Sequence, residues 1–143
     1  MSDYLAFLEG GNARDNKEVR YIRMRAWWSA NDPMRRPPTR RKRKRLVLGQ
    51  SLKAQDNMRI LFEMLDQADE TQRLLKAELA RELGRFDLAQ QLLSSEFSEN
   101  LHSKVIFLKS LIEQRNIKVA PFPRCAHESA VIQIKIPRRL PMP

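Results

Sequence analysis

Four groups of side chains in this 143-residue chain have types and spacings that could do chemistry. The first is a set of carboxylate pairs, Glu78 with Glu82 at i, i+4 and Glu63 with Asp66 at i, i+3. Either spacing puts both carboxylates on one face of a helix. Acid–base catalysis needs such a pair buried or otherwise tuned, whereas Arg59, Arg81 and Arg85 alternate with these. The mixture predicts a solvated face. The second group is Cys125-Ala126-His127, two zinc ligand types where a structural site takes four. Cys125 is the one cysteine, so no internal disulfide can form. The third is Trp27-Trp28, adjacent residues that a helix points about 100° apart. The fourth is the run from Arg40 to Arg45, six cations in succession. No phosphate-loop, dinucleotide-binding, zinc-protease or nucleophile-elbow motif occurs. The chain is therefore expected to be no enzyme, with no catalytic residue, no metal ligand set and no cofactor.

The elements that must position these groups are set by charge and by apolar period. The net charge of +10 is unevenly spread. Residues 1–32 carry five acidic and five basic side chains; residues 33–53 carry nine basic and no acidic ones. Residues 54–116 hold eleven acidic against eight basic, and residues 117–143 one against five. The basicity thus belongs to one linker and one tail. Adjacent like charges repel and bury nothing, and Pro33, Pro37 and Pro38 bias their neighbours away from helix. Residues 33–50 are read as an exposed, mobile arm. It is either a plain solvated loop or a contact for phosphates of RNA or DNA, for an acidic partner or for an import receptor.

Periodicity predicts helices for most of the rest. Residues 17–30 place Val19, Ile22, Ala26, Trp27 and Ala30 on one face, with Asn31-Asp32 ahead of Pro33 as a stop signal. Ser2 to Leu8 suits a short helix that Gly10 and Gly11 would end. Met58, Leu61, Phe62 and Leu65 at i, i+3, i+4 and i+7 mark an amphipathic helix over 54–65. Asp69 or Thr71 can cap the next, through Leu83, with Gly84 at its turn. Helices over 86–94 and 98–115 follow, the last capped by Ser98. So tight a break at Gly84 makes 71–94 an antiparallel hairpin. After Ile117 prolines recur, and Ile132, Ile134 and Ile136 offer at best a short edge strand, so a poorly ordered tail is expected.

Within that hairpin, residues 77–93 read A-E-L-A-R-E-L-G-R-F-D-L-A-Q-Q-L-L. Ala77, Gly84, Phe86 and Ala89 carry a likeness to the tetratricopeptide repeat. The small alanines let two helices approach, Gly84 makes the turn, and Phe86 fills the wedge beside the neighbouring element. Arg73 stands where the family has a large aromatic and Lys76 where it has Leu, and the closing proline is absent, with Leu101 at that distance. About one repeat is recognisable, and the helices at 54–65 and 98–115 could serve as flanking half-repeats. The resemblance implies an all-α fold of tetratricopeptide-like hairpins, with the basic arm and the proline-rich tail outside them. Arg20 to Pro33 is also similar to uncharacterised bacterial proteins in which a cysteine-rich zinc ribbon can precede this region. The chain has no such ribbon, so no function carries over.

The expected organisation is an N-terminal helical segment (1–32), the arm (33–50), the helical domain (51–116) and an irregular tail (117–143). The expected role is a protein–protein interaction or adaptor module. Trp27 belongs to the core stripe, which leaves Trp28, with Arg25 and Phe86, as the candidate partner contact; Trp28 could equally stack a base beside a phosphate clamp or simply lie over the next helix. The alternative is non-specific nucleic-acid binding through Arg35, Arg36, Arg40, Arg41, Lys42, Arg43, Lys44 and Arg45, weakening with salt. No stretch is apolar and long enough to span a membrane. The N-terminus has no basic region leading into an apolar run, so the cytoplasm is the expected location.

Overall fold

A computed structural model describes residues 1–35, 51–120 and 122, with the side chains of 33–35 left aside. The described residues form six helices and no strand: α1 (Ser2–Glu9), α2 (Asn16–Arg35), α3 (Leu52–Met64), α4 (Glu70–Glu82), α5 (Phe86–Leu92) and α6 (Glu99–Glu113). The fold is all-α. The six cations Arg40 to Arg45, Arg36, the Cys125/His127 pair and the Ile132–Ile136 alternation lie outside the described residues.

Local chemistry explains most boundaries. The Asp69 carboxylate accepts from the Gln72 amide at 2.8 Å and so caps α4. Ser51 caps α3 through the Ala54 amide, which starts that helix two residues before its apolar stripe. Gly84 takes φ +75 after α4, and the Arg85 amide closes back onto the Ala80 carbonyl at 2.8 Å. This left-handed turn releases α5 in the opposite direction. One expected stop fails. Helix α2 runs on through Asn31, Asp32 and Pro33 to Arg35. Asn31 is fully buried, with its amide on the Glu82 carboxylate at 3.2 Å, so a tertiary contact holds the helix past its stop signal.

The pairing of side chains gives the helix directions. Arg20 donates to Gln72 at 2.9 Å, while Trp27 and Asn31, further along α2, reach Glu82, further along α4, so α2 and α4 run the same way. Glu70 meets Ser98 at one end of α4 and Arg81 meets Asn116 at the other, so α6 runs the same way too. Helix α3 packs against α2 through Asn57, whose side chain exchanges hydrogen bonds with the Arg23 guanidinium and the Arg23 carbonyl. Helix α5 packs on α4, where Ala77 and Ala89 are both wholly buried and allow close approach. A single apolar cluster links α2 to α6, with Trp27, Met58, Leu61, Leu79, Leu93 and Leu108 as its most enclosed large side chains. Each such side chain contributes about 1.5–3 kcal/mol of burial.

Candidate interaction surface

Lys17, Tyr21, Met24 and Trp28 recur at i, i+4, i+7 and i+11, one stripe of α2. Between this stripe and α4 lies a groove of about 280 Å³, lined by Lys17, Arg20, Tyr21 and Met24 on one wall and by Leu65, Thr71, Gln72 and Leu75 on the other. Its floor is apolar and the charged residues of its lining are both cations. Trp28 is half-buried, packed against the core cluster at the far end of the stripe. Its neighbour Trp27 is 2% exposed, as its place on the apolar face predicts.

Arg25 lies beside the stripe, but its guanidinium is engaged by Tyr4 of α1. That hydrogen bond, with weaker attraction from Tyr21 and Asp32, holds the Arg25 pKa above its ordinary value against some desolvation. Phe86 begins α5, where it packs against the core with the Arg115 guanidinium 5.1 Å from its ring centroid. Phe86 is thus on α5 and Trp28 on α2, two different helices. The backbone of Arg35 ends α2. Arg36 and Arg40 to Arg45 lie beyond the described residues.

The carboxylate pairs divide. Glu63 and Asp66 are exposed, as their spacing among charges predicts. Glu78, Arg81 and Glu82 are not: they are 3%, 0% and 7% exposed, which overturns the solvated-face reading for this stretch. Glu82 accepts from the Trp27 indole at 2.9 Å and from Asn31, and the Arg81 guanidinium lies 3.7 Å from it. Arg81 Nη1 donates to the carbonyls of Asn116 at 2.6 Å and Lys118 at 2.9 Å. Burial lowers the Arg81 pKa from its ordinary value, and the charges of Glu82 and Glu78 oppose that shift. The sequence held a signal for this. Around one turn after another of α4, Leu74, Leu75, Ala77, Leu79, Ala80 and Leu83 cover nearly every direction. Apolar side chains spread this widely around its second half predict contacts on several sides there, and polar residues lying between them are then enclosed as well.

Two other polar contacts were not foreseen. Ser98 stands at the N-cap of α6 but its hydroxyl caps no amide. It donates instead to Glu70 at 2.6 Å, and the Ser98 amide donates to the other Glu70 oxygen at 2.9 Å. Glu70 of the parallel helix therefore brings negative charge to the start of α6, where the helix dipole favours it. These bonds lower the Glu70 pKa. Arg73, at the position where the repeat family has an aromatic, lays its guanidinium 4.4 Å from the Phe97 ring centroid and donates to the Gln67 and Glu96 carbonyls. It spans the loops on either side of α4 and α5.

Among the described residues no group of His, Cys, Asp and Glu is arranged to hold a metal ion, and no helix is long and apolar enough to cross a membrane. Comparison of the chain with protein-family models, with curated proteins and with solved structures finds no significant match.

Proposed function

We propose that this chain is a non-catalytic interaction or adaptor module that binds another protein along the α2 stripe, with the basic arm adding electrostatic attraction. The observation that carries this reading is the groove between α2 and α4, largely apolar and with Lys17 and Arg20 in its lining, with the half-buried Trp28 four residues beyond Met24 on the same stripe. Tryptophan beside arginine is the composition of binding hot spots. Lys17 and Arg20 suit a segment that presents apolar side chains between acidic ones. Of the carboxylates weighed for acid–base chemistry, Glu82 holds Trp27 and Asn31, and Glu63 and Asp66 are exposed, which supports the non-catalytic reading. A tetratricopeptide-like arrangement is part of the proposal. It is supported by parallel α2, α4 and α6, by Ala77 and Ala89 at the α4–α5 contact, and by Gly84 at the turn. The cytoplasm is its expected place.

Pull-down from host lysate, with and without nuclease, tests the proposal. The intact chain is compared with Trp28→Ala, Met24→Ala and a variant with Arg40 to Arg45 changed to Gln. A discrete protein that survives nuclease and is lost with Trp28→Ala and Met24→Ala, both variants keeping their helical circular dichroism, is the expected result. Loss of all bound material on nuclease treatment or arm neutralisation would reject it in favour of nucleic-acid binding through the arm.

A further inference from the structure

Beyond α6 the chain reverses. Arg115 adopts φ 48, a left-handed conformation outside glycine's usual role, and the Asn116 amide closes onto the Leu111 carbonyl at 2.9 Å. The chain then doubles back. Phe122 packs against Phe107 with the rings tilted at 59° and their centroids 5.6 Å apart, and Phe107 sits about two turns before the end of α6. Ala120 and Phe122 both pack against the core cluster.

How this segment is held is unlike how the helices are held. Arg81 of α4, wholly buried, grips it by two main-chain carbonyls, those of Asn116 and Lys118. One local bond, from the Lys118 amide to the Asn116 side chain at 2.9 Å, shapes the turn between them. Ile117 is 54% exposed and Lys118 is exposed, so the side chains between the gripped carbonyls point away from the body. Main-chain carbonyls taken by a fixed donor and one aromatic ring taken by an apolar seat are the terms on which a protein binds a peptide in trans. The grip is also incomplete. Arg81 Nη2 faces the Glu82 carboxylate at 3.7 Å, and Nε is buried without a hydrogen-bond acceptor among the described residues, a state that carries a desolvation penalty. The guanidinium therefore has one donor, Nε, that this segment does not use.

We propose that Asn116 to Ala120, together with Phe122, is a displaceable internal ligand of the α4–α6 face. A neutral or basic peptide bearing an aromatic residue takes its place when a partner binds. Neutral or basic is the fitting charge because Arg81 lies among Glu78 and Glu82, so the surroundings of the grip are net negative. The inference stands apart from the α2 reading, since Trp28 takes no part in it.

The test uses the full-length chain and a fluorescein-labelled synthetic peptide of residues 116–124, N-I-K-V-A-P-F-P-R. A tethered competitor acts at high effective concentration. The Phe122→Ala chain is therefore expected to bind the peptide at least ten-fold more tightly than the unaltered chain, and a peptide with alanine for its phenylalanine to bind neither. Equal binding to both chains, or to none, overturns the proposal. So does loss of helical circular dichroism in Phe122→Ala, which would make the segment part of the core. Hydrogen exchange on the unaltered chain gives a second reading. The Lys118 amide is expected to exchange by local opening, faster than that of Leu108; exchange of both only on global unfolding also overturns it.

Discussion

Glu82 shows what one carboxylate does when burial removes its access to water. Both of its oxygens are used, by the Trp27 indole and by Asn31, so its role is to satisfy donors that the α2–α4 contact would otherwise strand. Changing Glu82→Leu removes the acceptor of the Trp27 indole and of the Asn31 amide, at a cost of about 2–4 kcal/mol. Glu82→Gln keeps one acceptor oxygen and should cost less than half of that. Urea unfolding followed by tryptophan emission measures both, and equal stability of the two variants would show that the hydrogen bonds contribute nothing. Arg81→Ala acts on the same cluster from the other side. It deprives Glu78 and Glu82 of their buried counter-charge and releases the carbonyls of Asn116 and Lys118. The expected loss is about 3–5 kcal/mol, read as a lower urea midpoint. A value under 1 kcal/mol would mean that the guanidinium is not enclosed as described.

At the scale of the elements, the turn and the helix starts are the sensitive points. A Cβ at Gly84 would meet nothing within 4 Å, but φ +75 is a conformation that side-chain-bearing residues avoid. Gly84→Ala should therefore destabilise by about 1 kcal/mol through the backbone alone, seen as a reduced melting temperature with an unchanged helix content. A crowded site would cost more and change the packing of α5. The starts of α4 and α6 bear on acid stability. Asp69 and Glu70 both have folded-state pKa values below their ordinary ones, the first chiefly through the Gln72 amide and the second through Ser98. A carboxylate with a depressed folded pKa binds protons more readily when unfolded. Its stabilising contribution is complete above the ordinary carboxylate range and is lost as pH falls through the lower folded value. In an acid titration monitored by circular dichroism, Asp69→Asn with Glu70→Gln should flatten the decline in stability between about pH 5 and pH 3. An unchanged slope would place the acid-sensitive groups elsewhere.

For the whole molecule, one apolar cluster joins α2, α3, α4, α5 and α6, and polar bridges cross from α2 to α4 and from α4 to the segment after α6. Elements that share a core unfold together. Tryptophan emission, which reports on α2, and circular dichroism at 222 nm, which reports on all the helices, should give coincident urea transitions. Separate midpoints would mean that α2 and the 51–116 unit are independent bodies, despite the buried Trp27–Glu82 bond. The long connection between α2 and α3 makes this a sharp test, because covalent proximity contributes little to holding these two helices together.

What the sequence determined by itself is the local part of the structure. The 3.6-residue recurrence of Met58, Leu61, Phe62 and Leu65, the cap at Asp69 and the turn at Gly84 depend on residues within a turn or two of each other, and each appears in the fold where the pattern puts it. Trp27 in the core and Trp28 at its edge follow from the same geometry. The tertiary structure decided which polar residues are enclosed. Whether Glu78, Arg81 and Glu82 face water depends on what lies opposite them, and the groups opposite come from residues 27–31 and 116–118, some 35 to 55 positions away. Charge alternation along a helix carries no information about those partners. The same reason explains the failed stop at Asn31, the Ser98 hydroxyl drawn from its cap to Glu70, and the return of Phe122 to Phe107. In each, a contact distant in sequence outweighs a local preference worth about 1 kcal/mol.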